Sequence, residues 1–318
     1  MEQKENPPET LTFGEGISEG FKSEAETLPK KITRYSRARE RAVNIISHVE
    51  QKQQDTGSPF FAKVAKGLAG CGNYLHFRDY FTVGKLRLHS ASFCKKHLFC
   101  PLCAIRRASK TMQSYMPKYH KIMAENPSLA PYMVTMTVKN GDDLIERYDH
   151  LVKSIQKLTR ARTRSLSGSR HKTEFSKIFA AVGSYEFTNK GNGWHPHVHI
   201  IALCEIPPDQ FTLSQEWKRA TGDSFIVDVR PIGNPDDPVK GFSEVFKYAL
   251  KFSDLSPEQH VHAATVLNSR RMLFSIGAFR GVEVPESLLD EPLEGLPFVD
   301  LFYDYVHGSG YNFRNPNQ

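Results

Sequence analysis

The order of apolar and polar positions predicts alternating helices and strands from about residue 60 onward. Before that, one helical period runs from Thr33 to Gln54, with Ala42, Ile45, Ile46 and Val49 on one face. The rest of residues 1–58 is polar, and the first thirty read as disordered or loosely attached. Arg106 to Glu125 reads as a helix, Tyr132 to Val138 alternates with period two as a strand, and Asp142 to Arg164 has Leu144, Tyr148, Leu151, Ile155 and Leu158 at helical spacing. Phe179 to Thr188 and His195 to Cys204 read as two strands, and the turn residues Asn189-Lys-Gly-Asn-Gly between them make a hairpin. A short helix at Thr212–Ala220, a strand at Phe225–Pro231 and a helix at Gly241–Lys251 follow, while Asn268 to Phe279 fits no single period. The expected fold class is α+β, with a central antiparallel sheet and flanking helices.

Charge sharpens this picture only when read by position. The 318 residues carry 42 Lys and Arg against 35 Asp and Glu, a net +7 too mild to demand a polyanionic partner. Yet no acid occurs from Tyr80 to Ala124, where nine basic residues lie, or from His150 to Thr173, where seven lie. From Gly281 to Asn312 there are seven acids and no Lys or Arg. A solvated face and a phosphate-tracking surface explain the basic stretches about equally well. The chain has no apolar run long enough to span a membrane and no apolar leader segment, so we expect a cytoplasmic protein without a membrane partner.

The segment Trp194-His195-Pro-His197-Val-His199 carries the strongest chemical signal. Alternate residues of a strand share a face, so His197 and His199 project together. If Thr188 pairs with His195 across the hairpin, Glu186 pairs with His197 and faces the same side. Two imidazoles and a carboxylate suit a divalent ion with positions left open. A register slip of one residue would turn Glu186 away. His195 is the weakest of the three histidines, because Pro196 can end the strand.

A second segment, Phe242-Ser-Glu244-Val-Phe-Lys247-Tyr248-Ala-Leu-Lys251, places Glu244 and Tyr248 four apart, with Lys251 three further on, on one helix face. By itself this is an amphipathic helix with a polar pair. Beside a metal-bound phosphate, Tyr248 can serve as a nucleophile and Glu244 can activate water.

The five cysteines are odd in number, which disfavours a disulfide framework. Cys94-x5-Cys100-x2-Cys103 is three-quarters of a structural zinc signature, and the fourth ligand is Cys71 or His97. Cys71 completes an all-thiolate site and leaves Cys204 as a buried apolar residue. The neighbouring Lys95, Lys96, Arg106, Arg107 and Lys110 make this module a candidate DNA grip.

Taken in order, Tyr132-Met-Val-Thr135-Met-Thr137-Val, His195-Pro-His197-Val-His199 and Glu244-x3-Tyr248, preceded by the cysteine segment, resemble the plasmid rolling-circle replication initiators of the HUH endonuclease superfamily. The resemblance covers about Cys71 to Asp254 and does not reach either end of the chain. It implies an HUH-type sheet of RRM-like or ferredoxin-like topology and a site-specific single-strand DNA endonuclease and strand transferase. It implies Mg²⁺ or Mn²⁺ on His197 and His199, with Glu186 added by the pairing argument, and a 5′-phosphotyrosine on Tyr248. Glu244 would act at termination, and Lys247 and Lys251 would lie near phosphates. The implied partners are plasmid origin DNA, single-stranded or hairpin, a host helicase and polymerase, and a second copy as a homodimer. No nucleotide-binding Gly-x4-Gly-Lys-Ser/Thr motif is present, so unwinding would fall to the helicase. The chain then divides into an N-terminal extension at 1–58, a cysteine module at 59–125, an endonuclease core at 126–260 and an acid-ended segment at 261–318. Competing readings are a mobilisation relaxase or transposase with the same chemistry, and a non-catalytic zinc-dependent DNA-binding regulator.

Overall fold

The structure is a computed structural model that describes residues 27–170, 172–232, 239–246 and 254–314. Five strands form the central sheet: β3 (Ala130–Thr137), β4 (Ala180–Asn189), β5 (Trp194–Cys204), β6 (Val227–Pro231) and β7 (Leu273–Ile276). Their order is β6-β3-β5-β4-β7 and every pairing is antiparallel. The α+β class with an antiparallel centre is therefore observed. The segment that fitted no single period contains β7, which extends the sheet beside β4.

Helices cover both faces of this sheet. On one face Val134, Met136, Val198, Ile200 and Ala202 belong to the core that includes Leu151, Ile155 and Leu158 of α5 (Leu144–Leu166) and Leu213 and Trp217 of α6 (Gln210–Thr221). Asp143 starts α5 by accepting hydrogen bonds from the amides of Ile145 and Glu146, which no helical carbonyl can reach. On the other face Met133, Ala180, Val182, Ile201 and Leu203 meet Met112, Tyr115, Tyr119 and Ile122 of α4 (Pro101–Glu125) and Phe242, Val245 and Phe246 of α7 (Val239–Phe246). The second of these apolar layers holds α7 on the face of the sheet that also carries the histidines.

A second, four-stranded antiparallel sheet has the order β2-β1-β8-β9, with β1 at Tyr74–Tyr80, β2 at Lys85–Ala91, β8 at Val299–Val306 and β9 at Gly310–Phe313. The acid-rich end of the chain thus forms two strands, and β8 pairs directly with β1. Its alternation puts Asp300 and Asp304 outward, where they meet Arg78 and Arg314. The helical period near the N-terminus becomes two helices, α1 (Leu28–Asn44) and α2 (Ile46–Thr56), with Tyr35, Ala42, Ile45 and Val49 buried. A further helix, α3 (Pro59–Gly70), starts at the Ser58 cap, and α8 (Pro257–Leu267) follows the central domain. No described helix is long and apolar enough to cross a membrane.

Candidate metal centres and their surroundings

The hairpin of β4 and β5 has the register expected from its turn: Thr188 opposes His195 and Glu186 opposes His197. Gly193 enables the turn. It has φ +78°, and a Cβ there would stand 2.9 Å from the Gly141 carbonyl oxygen. The strand runs through Pro196, which lies beyond the last β3 pair, Thr137 with His197.

This register gathers Glu186, His197 and His199. Their donor atoms all lie within 4.8 Å of one another, and Glu186 and His197 are buried. The Glu186 Oε2 is 3.2 Å from His197 Nε2 and 3.3 Å from His199 Nε2. On the neighbouring strand, Thr135 Oγ1 lies 3.1 Å from His199 Nδ1, which fixes that ring and aims its Nε2 at the carboxylate. His197 Nδ1 is buried and has no hydrogen-bond partner among the described residues. His195 stands on the same face but outside the cluster, with Nδ1 2.6 Å from Asn140 Oδ1. Two imidazoles and one carboxylate at this spacing suit a divalent cation, so the residues fit a metal.

Four sulfurs make the second cluster. Cys71, Cys94, Cys100 and Cys103 lie together, with Sγ separations of 3.6 Å from Cys71 to Cys100, 3.5 Å from Cys71 to Cys103 and 3.6 Å from Cys94 to Cys103. A zinc tetrahedron with Zn–S bonds of about 2.3 Å has edges of about 3.8 Å, close to these values. Hydrogen bonding from Cys100, then Cys103 and Cys71, drives the Cys94 thiol well below its ordinary range, so the cluster favours at least one thiolate. His97, the other sequence candidate, is exposed and outside the cluster. Cys204 is buried in β5, and burial pushes its thiol up to about 12.

Elements distant in sequence converge on the sulfurs. Gly72, at φ +66°, lets the chain turn under Leu102 and Tyr311, and a Cβ there would lie 2.3 Å from Leu102 Cδ2. Tyr311 of β9 donates its hydroxyl to the Gly72 carbonyl at 2.5 Å, and His260 Nε2 of α8 is 2.9 Å from the Leu98 carbonyl.

The basic residues around this module divide into two groups. Arg106 and Lys110, read from the sequence as DNA-facing, are buried. Arg106 donates to the Leu288 carbonyl at 2.7 Å, to Tyr35 Oη at 3.1 Å and to Asp290 at 2.5 Å, and Lys110 Nζ lies 3.9 Å from Asp290. Their charges neutralise an acid of the C-terminal segment and do not face solvent, which corrects the sequence expectation for these two. Lys95 is exposed, while Lys96 Nζ sits 5.8 Å from the Phe60 ring centroid and Arg107 donates to the Pro285 carbonyl. Burial alone would raise the Asp290 carboxyl, but Arg106 and the Leu88 amide outweigh it and hold it below the usual carboxylate range.

Glu244 lies half-buried on α7, between the buried Phe242 and Val245. Tyr248, Lys247 and Lys251 lie outside the described residues. Sequence reasoning gave Thr135 no role in holding a histidine and did not consider Asn140. The signal for Thr135 was its place in a period-two strand that pairs with β5.

A protein-family model described as a replication protein matches residues 85–296. A curated protein named Protein rep from a Bacillus species is 30% identical over 163 residues, 48% of this chain and 48% of its own. Protein rep from Bacillus amyloliquefaciens is 28% identical over 216 residues, 62% of this chain and 58% of its own. Protein rep from Staphylococcus aureus is 27% identical over 232 residues, 66% of this chain and 95% of its own. The chain thus spans about half the length of the first two. No solved structure matches it.

Proposed function

The chain belongs to the replication-protein family, and on that premise we propose that it initiates rolling-circle replication of a plasmid by nicking one DNA strand at the origin. The observation that carries this reading is the convergence of Glu186, His197 and His199 within 4.8 Å, on the sheet face where α7 packs. Glu186, His197 and His199 would hold Mg²⁺ or Mn²⁺, which when bound would polarise the scissile phosphate.

In this mechanism the Tyr248 oxygen attacks phosphorus. A new bond joins tyrosine to the 5′-phosphate, the bond from phosphorus to the 3′-oxygen breaks, and the proton lost by tyrosine is matched by one gained at the 3′-hydroxyl. The free 3′-hydroxyl then primes synthesis by a host polymerase behind a host helicase. At termination Glu244 takes a proton from water, and the resulting nucleophile cleaves the last phosphodiester without a second tyrosine. Lys247 and Lys251 would neutralise phosphate charge near the nucleophile, and Lys95, Lys96 and Arg107 would contact flanking DNA. The four cysteines would hold a structural zinc that fixes this flank, and a homodimer at the origin would fit the same scheme.

Incubation of the protein with supercoiled plasmid bearing the cognate origin, with and without Mn²⁺, tests the reading. Conversion to open circle only with the cation, and none with Glu186→Ala, is expected. Binding without nicking under all divalent conditions would favour the non-catalytic regulator.

A further inference from the structure

A cavity of about 570 Å³ opens between α5 and the β4–β7 edge of the central sheet. Tyr148, Gln156 and Arg160 come from α5, Tyr185 from β4, and Arg271 and Phe274 from the segment entering and forming β7. Tyr185 and Glu186 are consecutive in β4, so they project to opposite faces, and the cavity lies across the sheet from the histidines.

The wall is aromatic. The Tyr185 and Phe274 ring centroids are 5.2 Å apart, and Tyr148 meets Tyr185 edge-on at 6.1 Å. Tyr185 is only 4% exposed, yet its hydroxyl makes no hydrogen bond among the described residues, whereas Tyr148 donates to the Arg271 carbonyl at 2.9 Å. Tyr185 lines the cavity, so its hydroxyl is available there to donate to a ligand's polar atom. Burial raises the Tyr185 pKa, which keeps that hydroxyl a neutral donor.

The mouth is cationic. Arg160 and Arg271 are exposed there, and no acidic residue lines the cavity. Lys153, Arg160 and Arg164 continue along the exposed side of α5, within the acid-free stretch from His150 to Thr173. An aromatic slot of this volume under two guanidinium groups matches a planar heterocycle attached to phosphate. A purely apolar ligand would leave the Tyr185 hydroxyl and both arginines unused.

We propose that this cavity receives one unpaired base of single-stranded DNA, with the flanking phosphates on Arg160 and Arg271. The proposal rests on the replication reading for the kind of nucleic acid, but it does not depend on the nicking chemistry. The base stacks against the Tyr148, Tyr185 and Phe274 wall and accepts a hydrogen bond from Tyr185.

The test uses the full chain without divalent ion and a fluorescent (dT)₁₂ probe. Its central thymine is replaced by 5-iododeoxyuridine for photo-crosslinking, or by an abasic site. Crosslinks to Tyr148, Tyr185 or Phe274 are expected, with roughly tenfold weaker binding of the abasic probe. Arg160→Ala combined with Arg271→Ala should weaken binding and lower the salt slope by about 1.4, two single-strand phosphates' worth. Both arginines are exposed, and an unchanged melting curve controls for folding. Tyr185→Phe keeps the ring and should weaken binding by a smaller factor. Crosslinks confined to other residues, equal displacement by duplex DNA, or affinity unmoved by the double substitution would overturn the proposal. Tyr248→Phe separates the two readings: it should keep the crosslink while losing any covalent adduct. A crosslink without nicking by the unaltered chain would count against the initiator reading alone, and nicking without the crosslink against the cavity alone.

Discussion

Glu186 and His197 oppose each other across the β4–β5 hairpin, with Oε2 3.2 Å from Nε2, and the same oxygen lies 3.3 Å from His199 Nε2. Lone pairs gathered this closely repel one another unless a proton or cation lies between them. The strand register creates the arrangement, so it can be disturbed from a neighbouring strand as well as from the donor residues.

Thr135→Val tests that neighbour. It removes the oxygen 3.1 Å from His199 Nδ1 while preserving side-chain shape. Loss of such an anchor behind a ligating histidine weakens metal binding about 10–100-fold. Calorimetric titration with Mn²⁺ should show this drop, and Glu186→Ala should remove the titration altogether. Unchanged affinity in Thr135→Val would mean that the ring is held by other contacts.

The four-sulfur cluster predicts one tightly held zinc per chain. Metal analysis of the purified protein should find it, and a strong chelator should lower the melting temperature steeply, because metal-binding energy is folding energy in such a site. Cys103→Ser should reproduce the loss. Full thermal stability after metal removal would show that the buried thiols pack adequately without an ion.

Arg106 and Asp290 join helix α4 to the segment before β8. Both are nearly buried, so removing Arg106 leaves the Asp290 carboxylate with only the Leu88 amide and Lys110, 3.9 Å away, to offset its buried charge. Arg106→Met should cost about 3–5 kcal/mol in denaturant unfolding. The Asp290 carboxyl is held below its unfolded value, so its contribution is complete above about pH 4 and is lost as pH falls through the lower folded value. Asp290→Asn should flatten acid unfolding in that range, and an identical acid profile would remove this pair as its cause.

His260 sets a second pH dependence. Burial lowers its pKa to about 4, although the hydrogen bond to the Leu98 carbonyl opposes this. The unfolded chain takes up a proton near pH 6.5 and the folded chain does not until about pH 4. Stability should therefore decline as pH falls between these values, by about 3 kcal/mol at the lower end. His260→Gln should lose that slope, which urea unfolding at several pH values would reveal.

The parts of the fold legible in the sequence were those whose signals are local. The Asn189–Gly193 turn and the alternation on either side fixed the hairpin register, and with it the meeting of Glu186 with His197. The Cys100–Cys103 spacing marked the sulfur cluster. The second sheet was not legible, because β1 finds β8 more than two hundred residues away and no short-range pattern announces that pairing. Asp300 and Asp304 made β8 look like an acidic tail, although their alternation with Leu301, Tyr303 and Tyr305 is the mark of a half-buried strand. Arg106 and Lys110 were misjudged for a related reason. The acid that neutralises them, Asp290, belongs to a stretch about 180 residues downstream, so nearby sequence showed only unbalanced positive charge.

The central claim is most directly tested by the covalent product. The protein is incubated with origin-bearing single-stranded DNA and Mn²⁺, denatured and digested, and the DNA-linked peptide is identified by mass spectrometry. The account predicts a 5′-phosphotyrosine on Tyr248, absent from Tyr248→Phe and from Glu186→Ala. An adduct on another residue, or cleavage that leaves no adduct at all, would contradict it.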